Sequence, residues 1–163
     1  MRTLSWIASA ALLAACTSPP LETGGTQTAQ TARTESCRPI SEAEVAVLFE
    51  RWNRALATGD PRQVVALYAE RSILLPTLSN QPRLNAAEKE DYFHHFLENQ
   101  PAGRIDLRRV EIGCNSLVDA GLYTFTFTKT GAVVNGRYSF TYRWNGSDWL
   151  ITSHHSSAMP EKR

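Results

Sequence analysis

Three groups of side chains in this chain are of types that do chemistry, and the densest is near the C-terminus. His154-His155-Ser156-Ser157 places two imidazoles and two hydroxyls in consecutive positions. On a strand, neighbours point to opposite faces, so only one of the two histidines can reach an interior. Upstream, Tyr138, Phe140 and Tyr142 alternate with polar residues, and Asn145-Gly146 is a strong two-residue hairpin signal. Carried across that turn, the alternation puts Ser153 and His155 on the aromatic face and His154 outside, beside Arg137. An inward imidazole can serve a bound ligand, or it can be a core histidine satisfied by backbone or a hydroxyl. Both readings stay open for His155. A metal shared by the two histidines is not expected, because adjacent strand residues diverge. His94-His95 fall on the flanks of an amphipathic helix and read as surface residues.

Acid–base chemistry in an apolar cavity needs a carboxylate aimed into it. Asp60 precedes Pro61 and reads as a helix cap, and Asp119 sits near a strand start. Glu111 has the opposite phase to Val110, Ile112 and Cys114. No catalytic set emerges. There is no glycine-rich phosphate or dinucleotide fingerprint and no CxxC pair, so no cofactor, redox activity or kinase activity is expected.

The cysteines form the third group. Cys16 closes the run Leu13-Ala14-Ala15-Cys16, which follows Arg2 and an apolar stretch too short to span a bilayer. This is the pattern of a lipobox. It predicts a signal peptide over residues 1–15, lipid attachment at Cys16, and a protein held in the cell envelope by an acyl anchor, facing the periplasm. Thr17 favours the outer over the inner membrane in a host that has both. Cys37 and Cys114 are left to form one disulfide in an oxidising compartment. Residues 16–36 are rich in Thr, Ser, Gly, Pro and Gln and read as a flexible tether. With 163 residues in all, one domain follows, over residues 37–163. Basic and acidic side chains balance once Arg2 is removed, and no basic patch suggests nucleic acid as a partner.

The elements that position these groups can be read from period and caps. Ser41 and Glu44 form a capping box ahead of the stripe Val45, Leu48, Phe49, Trp52, Leu56. Gly59 ends that helix. Asp60-Pro61 opens a second one, expected to carry Val64, Val65, Leu67 and Tyr68, with a short strand over 72–76 after it. Asn85 caps a third helix with an arc of Tyr92, Phe93, Phe96 and Leu97. Beyond Arg104 the period becomes alternating. Ile105 and Leu107 share one phase and Val110 and Ile112 the other, which predicts a β-bulge at Arg108-Arg109. Tyr123, Phe125 and Phe127 then alternate with threonines. The fold expected is α+β, a cone of curved antiparallel sheet with three N-terminal helices on its concave face.

Three segments carry a family resemblance: RALATGDPRQVVALYA, DYFHHFLEN, and the closing W-x-x-x-x-H-H-S-S. Over residues 41–160 the chain resembles the nuclear-transport-factor-2-like superfamily. Within it, the sequence is similar to the association domain of calcium/calmodulin-dependent protein kinase II and its stand-alone bacterial relatives, the SgcJ/EcaC-type and SnoaL-like proteins. The resemblance implies an aromatic cavity inside the cone and self-association through the outer face of the sheet. Phe127 and Phe140 stand at the positions of the kinase domain's cavity arginines, so carboxylate binding of that kind is not implied. The cavity candidates are Trp52, Tyr68 and Tyr92 from the helical half, and Tyr123, Phe125, Phe127, Tyr138, Phe140, Ser153 and His155 from the sheet. Together these readings describe a lipid-anchored, self-associating envelope module that takes a small apolar ligand. The alternative is an isomerase, cyclase or hydrolase using the same cavity.

Overall fold

The computed structural model describes residues 35–77 and 79–160. The expected signal peptide, Cys16 and nearly all of the tether lie outside the described residues. Helix α1, Glu42–Ala57, starts as its capping box requires. Ser41 Oγ accepts from the Glu44 N–H at 3.3 Å, and the Glu44 carboxylate accepts from the Ser41 N–H at 2.8 Å. Its stripe of Val45, Phe49, Trp52 and Leu56 is buried. The left-handed Gly59, φ 69°, follows its end. Helix α2, Pro61–Val65, is short, with the Asp60 carboxylate accepting from the Arg62 N–H at 3.0 Å.

Tyr68 does not continue that helix, contrary to the sequence expectation. It opens strand β1, Tyr68–Leu75. The Ile151 N–H donates to the Leu67 carbonyl at 2.9 Å and draws the chain into the sheet there. Helix α3, Ala86–Leu97, is capped by Asn85, whose side-chain oxygen accepts from the Glu88 N–H at 2.9 Å.

Four long strands follow: β2 Pro101–Ile112, β3 Ser116–Phe127, β4 Ala132–Trp144 and β5 Trp149–Ala158. They form a five-stranded sheet in the order β1-β5-β4-β3-β2, with β1 parallel to β5 and the other pairs antiparallel. The sheet is curved and unclosed, and the helices cover its concave face. Trp52 of α1 meets Phe125 and Phe140 edge-on at 6.2 and 5.3 Å, which marks the centre of the core. The fold is α+β, as the order of elements predicts.

Two irregularities decide which side chains face inward. In β2 the register shifts between Ile105 and Leu107, not at Arg108-Arg109. Leu107 therefore turns outward, 48% exposed, while Arg108 turns in toward Asp119. Gly121 lies opposite this bulge, and a Cβ there would sit 1.8 Å from the Leu107 carbonyl oxygen. Only glycine fits.

In the β4–β5 hairpin, Trp144 pairs with Trp149 around Asn145–Asp148, so the connection is four residues long and not two. Asn145 Oδ1 accepts from the Ser147 and Asp148 N–H groups at 2.9 and 2.8 Å and holds this longer turn. The two-residue displacement preserves parity. A second shift does not: Tyr142 pairs with Ile151 but Thr141 with Ser153, leaving Thr152 as an extra residue.

A Cys37–Cys114 disulfide joins the chain ahead of α1 to the β2–β3 turn, as the cysteine count predicts. Asn115 reinforces it, accepting from the Arg38 N–H at 2.7 Å and donating to the Ser36 carbonyl at 2.9 Å.

Candidate functional site

The cone encloses a cavity of about 620 Å³. This is within the range of small-molecule sites. Its mouth lies where β3 turns into β4, around Phe127, Thr130 and Ala132, and where β5 ends at Ala158. Tyr92, Phe93 and Phe96 of α3 form one wall and Tyr123, Phe125 and Phe127 of β3 another. Trp52, Leu74 and His154 line it from buried positions. No Asp or Glu is part of the lining among the described residues.

Of the residues expected from the sequence, Trp52, Tyr92, Tyr123, Phe125 and Phe127 line the cavity. Tyr68, Tyr138 and Phe140 are buried behind that surface. Ser153 and His155 are misplaced by the sequence reading. The extra residue Thr152 reverses the phase of β5, so Ser153 stands opposite Thr141, and His155 opposite Ser139 and exposed. His154, expected outside, pairs with Phe140 and is 4% exposed. Ser156 replaces Ser153 on the lining, and Arg83 joins it from the segment before α3.

The surroundings of His154 fix its chemistry. Its ring stacks on Phe140 at 4.0 Å between centroids and takes the edge of Trp52 at 5.3 Å. Trp52 Nε1–H donates to the Tyr68 hydroxyl oxygen at 3.2 Å, and that hydroxyl lies 2.8 Å from His154 Nδ1. An indole N–H is only a donor, so the Tyr68 oxygen accepts from Trp52. The Tyr68 proton goes to His154 Nδ1, because a proton on Nδ1 instead would leave both the Tyr68 O–H and the Nε2 lone pair without partners among the described residues. This relay puts the imidazole hydrogen on Nε2, which is closed off from solvent and has no partner among the described residues. Burial, helped by the neighbouring His155, pushes the His154 pKa down to about 3, so the ring is neutral at ordinary pH. Above it, Ser156 Oγ is bonded to both the Tyr123 hydroxyl and Thr77 Oγ1, the latter at 2.6 Å. Burial raises the Tyr92 and Tyr123 hydroxyls to about 12, so both stay protonated.

A second buried polar group lies outside the cavity. Asp119 is fully buried, and its carboxylate accepts from Arg108 Nε at 3.0 and 3.2 Å and from the Tyr138 hydroxyl at 2.8 Å. The sequence reading left Asp119 out of the interior. Counting back by twos from Tyr123 through Gly121 was the signal that placed it there. Its oxygens are committed to Arg108 and Tyr138 and are not part of the cavity lining, so it holds the sheet together and is not poised to take a substrate proton. Among the described residues there is no cluster that would hold a metal ion.

The family model of the calcium/calmodulin dependent protein kinase II association domain matches residues 41–160. The chain belongs to this family. A solved protein of Xanthomonas campestris, proposed to be such an association domain, is 46% identical; the match covers 78% of this chain and 98% of that one at a TM-score of 0.71. An NTF2-like protein of unknown function from Pseudomonas putida shares the fold at 16% identity and TM-score 0.66, over 77% of this chain and 92% of that one. A proposed dehydratase of the NTF2-like family from Streptomyces avermitilis does so at 11% identity and TM-score 0.62, over 73% and 97%. No curated protein matches the sequence.

Proposed function

We propose that this protein is a lipid-anchored envelope module that self-associates and binds a small apolar ligand in its aromatic cavity. The observation that carries the binding reading is the lining itself, with Phe96, Phe125 and Phe127 on its walls and no carboxylate among them. An isomerase or cyclase of the acid–base kind needs a carboxylate or a titrating base on the substrate; the lining holds no carboxylate, burial keeps His154 neutral, and His95, the other imidazole on the lining, is 70% exposed with its Nδ1 3.4 Å from the Glu98 carboxylate. The one buried carboxylate among the described residues, Asp119, is tied to Arg108 and Tyr138 away from the cavity. Anchoring rests on the lipobox at Cys16. Self-association rests on the family and on the outer face of the sheet, where Thr126 and Thr128 are exposed and Thr124, Ser139, Thr141 and Leu150 are half-buried. Apart from His155, which Thr152 turns onto this face beside Ser139, these central positions are hydroxyl-bearing or apolar and suit a two-fold contact.

Titration calorimetry of residues 17–163 with 2-ethylnaphthalene tests the binding reading. Saturable binding is expected, and it should be lost when Ala132→Trp and Ala158→Trp together fill the mouth. Absence of heat with the unaltered domain, or binding indifferent to the two tryptophans, contradicts it.

A further inference from the structure

Two hairpin ends of the sheet are unlike. Between β4 and β5 the turn is Asn145-Gly146-Ser147-Asp148, polar throughout and tied by Asn145 Oδ1, as a solvated turn is. Between β3 and β4 the chain reads Thr128-Lys129-Thr130-Gly131-Ala132-Val133-Val134. Ala132, Val133 and Val134 are consecutive, so apolar side chains leave both faces of β4 where it starts. Val133 is 63% exposed and Val134 41%. Met159 adds a third exposed aliphatic beside them, its N–H donating to the Asn135 carbonyl at 3.1 Å.

This end is also the mouth of the cavity, which Phe127, Ala132 and Val134 line. Rim and interior therefore form one continuous apolar surface. A ligand that suits this interior is scarce in water and concentrated in a bilayer. Charge agrees with a lipid partner. Residues 126–137 carry two bases, Lys129 and Arg137, both exposed, and no acid. On the α3 side of the mouth, Glu98 lies 3.4 Å from His95 Nδ1, and Asp91 is paired with Arg83 at 3.3 Å. Exposed aliphatics flanked by bases suit the boundary between headgroups and acyl chains of an anionic bilayer. A second copy meeting this end would bring the same bases against it.

We propose that the end of the β3–β4 hairpin is a membrane-docking surface. Val133, Val134 and Met159 enter the headgroup boundary of an anionic bilayer, Lys129 and Arg137 meet its phosphates, and the mouth opens onto the lipid. This rests on the reading of the cavity as an apolar site in an envelope protein, and adds the route by which its occupant enters.

The test holds residues 17–163 on phosphatidylglycerol vesicles through an N-terminal hexahistidine and nickel-chelating lipid, so the outcome does not depend on Cys16. Cys37 and Cys114 are bridged, so a single introduced cysteine takes a polarity-sensitive fluorophore. Val133→Cys labels the docking end, and Ile112→Cys labels an exposed aliphatic at the other end of the sheet. Their partners on β3, Thr126 and Leu117, are nine residues apart, about 30 Å. The Val133 label is expected to shift to the blue and to be quenched by spin-labelled lipid, and the Ile112 label to do neither. Lys129→Gln with Arg137→Gln should move the docked-to-undocked ratio about thirtyfold toward undocked, the scale of two basic side chains at an anionic surface. Neither residue lines the cavity, so binding of 2-ethylnaphthalene in solution should be unchanged in that variant. Quenching at neither label, or equally at both, overturns the docking proposal and leaves cavity binding standing. A blue shift at Val133 that follows protein concentration and not lipid overturns it in favour of a second copy. Quenching at Val133 in a domain that binds no 2-ethylnaphthalene removes the cavity reading, and with it the route from bilayer to cavity.

Discussion

Asp119 and His154 are the two residues whose burial matters most, and each makes a separate prediction. Asp119→Ala leaves the Arg108 guanidinium and the Tyr138 hydroxyl without their shared acceptor inside the sheet. A loss of roughly 3–5 kcal/mol is expected, the usual cost of stranding one partner of a buried pair. Urea unfolding checks it, and a loss below about 1 kcal/mol, the scale of a surface ion pair, would contradict the buried pairing. For His154 the prediction is a pH dependence. Its pKa is about 3 in the folded protein, against 6.5 for the free side chain. Between those values the unfolded chain binds a proton that the folded chain refuses. Stability is therefore whole above about pH 6.5 and falls as pH drops, with a limiting slope of about 1.4 kcal/mol per pH unit. His154→Phe should flatten the stability profile between about pH 7.5 and about pH 5.5, where histidine is the main titrating side chain. An equally steep profile in the variant would place the proton uptake elsewhere. Both residues show how much of the site was legible. Asp119 shares the odd-numbered phase of Tyr123 and Phe125, so its burial was readable. The inward turn of His154 depends on Thr152, and no local residue signal marks that position.

The helices and the strands differ in how they record their geometry. Helix starts are written in capping chemistry: Ser41 with Glu44, Asp60 with Pro61, and Asn85 each stand where the structure begins a helix. Strand phase is written in a period of two, and one extra residue erases it. That is why the bulge in β2 falls earlier than Arg108-Arg109, and why the β4–β5 hairpin places His154, not His155, inside. The tight turn expected at Asn145-Gly146 was displaced by Asn145 capping Ser147 and Asp148, a side-chain bond the dipeptide pattern does not announce. Gly121 is the check on the β2 bulge. Its Cβ would overlap the Leu107 carbonyl, a backbone atom that cannot swing away. Gly121→Ala should cost about 1–3 kcal/mol or more, the range for overpacking, and shift the thermal midpoint down. A neutral substitution would mean that β2 and β3 do not approach as closely as this.

At the scale of the whole molecule, the disulfide that fixes the start of the described chain and the mouth of the cavity lie at opposite ends of β3. Cys37 is tied to Cys114 at the β2–β3 turn, whereas the mouth opens around Phe127, Thr130 and Ala132 at the other end of β3. The bridge spans 77 residues, and replacing both cysteines by serine should lower stability by at most about 4–5 kcal/mol on the chain-entropy model. Guanidinium unfolding of the two forms measures this, and equal midpoints would show that the bridge does not constrain the unfolded chain. Self-association makes its own demand: Thr126→Lys with Thr141→Lys should convert a dimer to a monomer in light scattering while leaving the aromatic core intact. A monomeric unaltered domain, or a dimer unmoved by the two lysines, would rule out the sheet contact. The central claim is that the cone holds a small molecule, and the most direct measurement is a native mass spectrum of the domain released from its own envelope by cleavage in the tether. The account predicts a non-covalent mass of a small apolar compound on each subunit, lost on denaturation and absent when Ala132→Trp and Ala158→Trp fill the mouth. A bare polypeptide mass in the unaltered protein, or an adduct that survives in the filled variant, would contradict it.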